Sequence, residues 1–312
     1  MEIICFMTNT KSCSLGIDIG STTVKVAVLD EERNLLFSQY RRHFADIQGT
    51  LADLVQEARE AVGDLSVRPV ITGSGGLTLA SSMQVPFVQE VIAVSSALKL
   101  YAPKTDVAIE LGGEDAKIIY FENGNIEQRM NGTCAGGTGS FIDQMASLLQ
   151  SDVVGLNEYA KDCKSLYTIA ARCGVFAKSD IQPLINEGAT KEDLAASIFQ
   201  AVVNQTISGL ACGRPIRGYV AFLGGPLHFL SELRTAFIRT LNLDEEHTII
   251  PDNSHLFAAI GSALNAESDA QPSALADLEH LLRKGIKIEF EVPRMDPLFE
   301  SDADYQDFIE RQ

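Results

Sequence analysis

Two stretches of the chain share one pattern of apolar and polar positions. The first is Leu15-Gly-Ile-Asp18-Ile-Gly-Ser-Thr-Thr-Val-Lys-Val-Ala-Val-Leu29, the second Val107-Ala-Ile-Glu110-Leu-Gly-Gly-Glu-Asp-Ala-Lys-Ile-Ile-Tyr-Phe121. Each is a β-rich run, an acid, a tight polar turn with glycine, and a second β-rich run carrying a lysine. Each predicts a hairpin with the acid at the end of its first strand. Asp18 and Glu110 lie 92 residues apart, which points to an internal duplication: two similar α/β lobes, each opening with a hairpin. Asn123-Gly124-Asn125 predicts a further turn into a strand over 126–130.

Helical periodicity fills the gaps. Thr50 to Val62 places Leu51, Leu54, Val55, Ala58 and Ala61 on one face. Val91 to Leu100 predicts a second helix, closed by Pro103, and Ser140 to Leu149 a third after a glycine cluster. Lys191 to Cys212 is long and apolar, with Ile198, Val202 and Ile207 along one face. Tyr219 to Leu223 predicts a buried strand running into Gly224-Gly225-Pro226 and a helix; His255 to Asn265 predicts a last helix returning to the first lobe. The expected division is 14–103 plus 254–268 for one lobe and 104–253 for the other. Residues 269–312 are acidic and Pro-dotted, and read as a tail or linker.

Composition narrows the classes. The 312 residues suffice for two cores, and 46% hydrophobic with 21% charged is ordinary for a globular protein. No run is read as long enough to span a bilayer, and the start MEIICFMTNTK lacks signal-peptide features, so the expected compartment is cytoplasmic, with no membrane partner. A formal charge of −17 disfavours nucleic acid. An anionic ligand would need local backbone N–H groups and a cation. The six cysteines form no CxxC pair, and a buried small hydrophobe is the default for each.

Four glycine segments carry candidate chemistry. Gly20-Ser21-Thr22-Thr23 offers N–H groups and hydroxyls to a phosphate, with Lys25 on the next strand and Asp18 placed to hold Mg²⁺ through water. Gly112-Gly113-Glu114 repeats the offer from the other lobe, so that two turns would clamp a nucleotide tail. Gly224-Gly225 would let a flat ring lie on the backbone. The glycines of Asn131-Gly-Thr-Cys134-Ala-Gly-Gly-Thr-Gly-Ser-Phe141, before a helix, could also accept a phosphate. Each alone is also what a plain structural turn looks like. Cys134, in a glycine-rich loop, and Cys173, beside Gly174, are the thiolates suited to a metal; a cubane needs four, which a two-fold dimer supplies. Cys5, Cys13, Cys163 and Cys212 read as buried thiols. No HExxH, GxSxG or Walker GxxxxGK[ST] occurs.

These residues together resemble the BadF/BadG/BcrA/BcrD-type ATPases, especially the activators of (R)-2-hydroxyglutaryl-CoA dehydratase. The matching stretches are LGIDIGSTTVKVAVLD (15–30), ITGSGG (71–76), ELGGEDAKII (110–119), MNGTCAGGTGSFIDQMA (130–146), ARCGVFAKSDIQPLINEGA (171–189) and FLGGPLHFL (222–230). The resemblance implies an α/β fold of two RNase-H-like lobes, of actin/sugar-kinase/Hsp70 type, around a nucleotide cleft. It implies ATP and Mg²⁺ in the cleft and a homodimer bridged by one [4Fe–4S] cluster. The ligands carry over to Cys134 and Cys173, and the phosphate contacts to Ser21, Thr22, Thr23, Gly112, Gly113 and the Gly137-Thr138-Gly139 turn. Gly224 and Gly225 would meet adenosine, Asp18 the magnesium side, and Glu110 or Glu114 the attacking water. The implied partner is an acyl-CoA dehydratase-type or double-cubane-type electron acceptor. ELGGED, with Glu110 where smaller activators have Asp, looks like longer tandem members. On that reading the chain is an N-terminal piece, and a second ATPase module replaces the homodimer mate. The competing expectations are a sugar-type small-molecule kinase and a nucleotide-gated binding module, both of the same fold without redox chemistry.

Overall fold

The computed structural model describes residues 13–132, 134–170, 174–267, 271–286 and 295–311. The chain begins with β1 (Cys13–Ile19), β2 (Thr23–Leu29) and β3 (Leu35–Arg42). There follow α1 (Ile47–Val62), β4 (Ser66–Thr72), α2 (Gly76–Met83) and α3 (Glu90–Tyr101). The second half opens with β5 (Val107–Leu111), β6 (Ala116–Glu122) and β7 (Asn125–Met130). Then come α4 (Gly139–Leu148), α5 (Val153–Ala160), α6 (Gly174–Asn186) and α7 (Lys191–Thr206), the last extended by a π-helical turn, Ile207–Ala211. β8 (Val220–Leu223), α8 (Gly225–Phe229), α9 (Ser231–Leu241) and β9 (Thr248–Ile249) complete that half. A 3-10 turn, Ser254–Leu256, leads into α10 (Phe257–Leu264), then β10 (Ser273–Ala274), α11 (Leu275–Lys284) and α12 (Asp302–Arg311).

The duplication expected from the repeated pattern is visible in the pairing. In the first sheet the order is β10-β4-β1-β2-β3, in the second β7-β6-β5-β8-β9. In each, the hairpin strands and the third strand are antiparallel, and the first strand lies parallel to the strand that follows the helices. Asp18 stands opposite Lys25 and Glu110 opposite Lys117 in the two registers. Each turn closes with the same bond, Gly20 N–H to Thr23 O at 2.9 Å and Gly112 N–H to Asp115 O at 2.8 Å.

Each lobe has its own core. Leu15, Ile17, Val24, Val26, Leu51, Leu54 and Ile71 pack in the first; Ile109, Ile118, Ile142, Ile198, Val202 and Phe222 in the second. A third apolar cluster lies between the sheets, where α3 and α10 meet Ala27 and Leu29 of one and Ala108, Ile119, Ala221 and Leu223 of the other. That layer demands close backbone approach. A methyl group on Gly16 would overlap the Ala259 carbonyl of α10, and one on Gly261 the backbone of Ala93 in α3.

Two expectations are corrected. Residues 273–284, read as tail, belong to the first lobe: β10 pairs with β4, and Leu275, Leu278 and Leu282 enter its core. Their i, i+3, i+7 stripe is short and sits among acids, which hid it. Arg59–Glu279 and Arg283–Asp53 pairs fasten α11 over α1. In contrast α12 buries no residue. The second correction concerns membranes. Lys191–Ala211 is, by length and composition, long and apolar enough to cross one, with a mean hydropathy of 1.2. In this fold Leu194, Ile198, Phe199, Val202 and Val203 pack in the second core.

Replacing Gly261 with alanine is expected to destabilise the protein by about 2 kcal/mol or more, because overpacking here meets backbone and not a flexible side chain. Urea unfolding of Gly261→Ala against the parent checks this.

Candidate functional site

The hairpin turns bring the predicted phosphate residues together. Gly20, Ser21, Thr23, Lys25, Glu110, Gly112, Gly113, Gly224 and Gly225 line one narrow cavity of about 20 Å³. Thr22, Gly113, Gly139 and Gly225 line the adjoining cavity of about 270 Å³, whose other walls include Ile142, Val153, Val154, Phe229 and Leu230. The polar end thus opens onto an apolar one, as a nucleotide's phosphates and base require. The turns touch at their tips: a methyl group on Gly113 would overlap Thr22 Oγ1 and lie 3.1 Å from Ser21 Oγ. Gly225 abuts Tyr40, where a methyl group would lie 2.5 Å from the hydroxyl. Gly224 has φ +87°, which a side chain would strain.

Beneath the turns lie charges that sequence reasoning partly missed. Asp18 is 1% exposed; its Oδ2 accepts from Lys25 Nζ at 2.5 Å, and its Oδ1 has no partner. Burial opposes the Lys25 charge, but Asp18 outweighs it and raises the ammonium pKa. The equivalent pair in the second lobe is rearranged. Lys117 does not bond Glu110, its register partner; Glu90 at the start of α3 and Asp115 in the turn each hold its ammonium at 2.6 Å. Glu110 Oε2 is left buried and unpartnered. Burial pushes the Glu110 carboxyl up to about 7; Lys117 opposes this, and the Glu90 and Asp115 charges reinforce it. Burial raises Glu90 as well. For Lys117, burial is outweighed by Glu110, Glu90 and Asp115, and its pKa is raised. Of the two glutamates expected near the attacking water, Glu110 faces the cavity, whereas Glu114 is exposed and outside its lining.

Glu90, Asp115, Ser74, Tyr40 and Pro226 also line the narrow cavity. Ser74, Asp115 and Pro226 sat inside quoted motifs, so their stretches, though not their roles, were visible. Glu90 and Tyr40 had no local signal: one opens a helix, the other sits on β3, and both arrive by tertiary packing. Across the cleft mouth Arg42 Nη2 meets Asp143 Oδ2 at 2.9 Å, joining β3 to α4. Behind Tyr40, His228 and His255 stack with centroids 3.8 Å apart, and burial lowers both pKa values, that of His255 to about 4.

The glycine loop before α4 behaves differently from expectation. Gly139 N–H donates to Gly112 O at 2.9 Å and Ser140 N–H to Gly113 O at 2.7 Å, so these helix-terminal donors serve the neighbouring turn. Thr138 is fully buried, its hydroxyl bonded to Ala135 O at 2.5 Å, and Gly137 packs toward Gln205 and Thr206. Gly137 and Thr138 therefore lie off the cavity linings, while Gly139 is part of the larger one.

Cys134 is exposed, and its sulfur accepts from Gly136 N–H at 3.4 Å. Cys173 lies outside the described residues, as does Cys5. The residue after Cys173, Gly174, packs on α4: a methyl group there would lie 3.0 Å from Gln144 Oε1 and 3.8 Å from the Phe141 ring. The Cys134 loop, which runs into α4, and Gly174 thus both adjoin that helix. Cys13 is buried as expected; Cys163 is half-exposed and Cys212 exposed, in a left-handed conformation ending the π-helical turn. Among the described residues no three His, Cys, Asp or Glu side chains converge as a metal group.

Residues 15–266 match the model of the BadF/BadG/BcrA/BcrD ATPase family. The chain belongs to that family. It is 28% identical over 265 residues to the 2-hydroxyisocaproyl-CoA dehydratase activator of Clostridioides difficile, covering 83% of this chain and 97% of the relative. Its fold matches that of component A of (R)-2-hydroxyglutaryl-CoA dehydratase from Acidaminococcus fermentans, with a TM-score of 0.72, 26% identity and coverage of 81% and 97%. A second solved structure, the activator of 2-hydroxyisocaproyl-CoA dehydratase from Clostridium difficile with bound ADPNP, matches with a TM-score of 0.70 and 26% identity, covering 89% of this chain and all of the other. The expected family resemblance and two-lobed α/β fold, of the actin/sugar-kinase/Hsp70 kind, are borne out.

Glu110 gives a stability test. Its folded-state pKa stands above the ordinary carboxylate value, so its stabilising contribution is complete at low pH and disappears as pH rises through about 7. Glu110→Gln is expected to stabilise the protein at pH 8 by on the order of 1–3 kcal/mol and to make little difference at pH 4.5. Urea unfolding of both proteins at the two pH values checks the sign.

Proposed function

We propose that this protein is an ATP-hydrolysing activator that delivers a low-potential electron to a partner enzyme of the 2-hydroxyacyl-CoA dehydratase type. The observation that carries the nucleotide half is the buried, unpartnered Glu110 carboxylate facing a cleft walled by two glycine turns. Family membership and the similarity to dehydratase activators support the partner class.

On this reading ATP lies with its phosphates between the turns and its base in the apolar cavity. Glu110 takes the proton of the attacking water, for which a carboxyl near neutrality is suited. Water adds to the terminal phosphorus as the bond to the bridging oxygen breaks, leaving ADP and phosphate. Asp18 Oδ1, buried and unpaired, fits the magnesium side through water. Magnesium, when bound, neutralises phosphate charge among four acids. The polar cavity as it stands is too narrow for a triphosphate, so the lobes part to admit one, a hinge motion at the Arg42–Asp143 mouth.

For the redox half, Cys134 has the accessibility and N–H···S bond that suit an iron–sulfur ligand. Cys134 and Cys173 would hold a [4Fe–4S] cluster shared with a second copy or a second ATPase module. When bound, the cluster supplies the low-potential electron. Exposed Met130, Val175 and Phe176 flank the cysteine stretches and would be covered by that neighbour. The expected surroundings are cytoplasmic, and the electron acceptor is a dehydratase-type or double-cubane-type protein. The sugar-kinase reading has no comparable observation behind it.

Protein reconstituted anaerobically with iron and sulfide is expected to show visible iron–sulfur absorbance, and Cys134→Ser to lose it. Full absorbance in the variant overturns the ligand assignment, and phosphorylated product from a sugar panel would favour a kinase. Glu110→Gln is expected to lower kcat for ATP hydrolysis by about 10²–10⁴-fold with a smaller effect on KM, measured by phosphate release.

A further inference from the structure

Asn131, the first residue after β7, is bonded on two sides at once. Its backbone N–H donates to Ala116 O at 3.1 Å, and its Oδ1 accepts the Ala116 N–H at 2.7 Å. Its Nδ2 donates to Glu114 O at 3.1 Å and to Cys134 O at 2.9 Å. One planar amide, acceptor on one edge and double donor on the other, therefore spans the Gly112–Asp115 turn and the cysteine loop. A second tie runs in parallel, through the Gly139 and Ser140 N–H groups on Gly112 O and Gly113 O. The turn, the loop and the start of α4 thus form one hydrogen-bonded body. Moving the turn alone would break bonds to Asn131 and leave polar groups unpaired; moving it together with the loop breaks none.

We infer that Asn131 couples nucleotide occupancy of the Gly112-Gly113 turn to the environment of Cys134. The inference rests on the nucleotide-cleft reading above and concerns how that cleft is read out; it does not need a cluster to be present. Phosphates entering between the turns part the Gly112-Gly113 turn from Ser21 and Thr22, and Asn131 carries the displacement to the Cys134 carbonyl. The role needs a side-chain amide, which carries an acceptor and a double donor together. Aspartate keeps an acceptor for Ala116 N–H but sets a carboxylate against the Glu114 and Cys134 carbonyls. Alanine removes all three side-chain bonds.

The test reads Cys134 in the iron-free 312-residue chain. The rate of N-ethylmaleimide modification is followed for the Cys134 peptide by mass spectrometry, so Cys163 and Cys212 do not interfere, with and without saturating ADPNP. In the parent the rate is expected to change by about fivefold or more on ADPNP binding. In Asn131→Asp and Asn131→Ala the nucleotide effect should shrink below about twofold, while ADPNP affinity by calorimetry stays within about threefold. A nucleotide effect that persists in Asn131→Asp overturns the inference, and so does a parent that binds ADPNP without any change at Cys134. A parent that binds no ADPNP overturns the nucleotide-cleft reading and the inference with it.

Discussion

Two hairpin turns meet tip to tip, with Gly113 of one packed against Ser21 and Thr22 of the other. A methyl group there would overlap Thr22 Oγ1, so Thr22 or the turn would have to shift. The contact leaves a narrow slot with backbone N–H groups above and buried charge below. Asp18, Glu90, Glu110 and Asp115 face two ammonium groups, Lys25 and Lys117. The excess of acid cannot attract a triphosphate unaided. On the nucleotide reading proposed above, a divalent cation would reconcile polyanion and carboxylates. The overall charge of −17 makes that requirement local.

The duplicated hairpins are alike in backbone and different in charge. Both place an acid opposite a lysine, yet only Asp18 keeps its lysine. In the second lobe Glu90 and Asp115 take Lys117, and Glu110 stands with one oxygen unpaired. Duplication supplied two equivalent positions. One helix terminus, that of α3, made them inequivalent, so that one carboxylate is paired with its lysine and the other keeps an unpaired oxygen.

The same turn that faces the cleft is bonded on its outer side to the cysteine loop. The α4 donors that might have bound an anion are spent on the Gly112 and Gly113 carbonyls. The start of α4 is thereby fastened to the turn. On the other wall Tyr40 packs among Phe229, His255 and Gly225, where β3 of one lobe meets α8 of the other.

Local sequence determined the hairpins, the repeat, most helices and the glycine turns, because those depend on period, propensity and the turn's own backbone. Asp18, Gly20, Gly112 and Gly113 could be placed from the chain alone for that reason. Residues 273–284 were missed because their stripe of three leucines acquires meaning only against α1 and β4. Tertiary structure alone decided that Glu110 and not Glu114 faces the cleft, that Glu90 joins it from α3, and that Gly137 and Thr138 turn away. Those outcomes depend on which groups are brought together and which are removed from water, and charge pairing across more than twenty residues leaves no local trace in the chain.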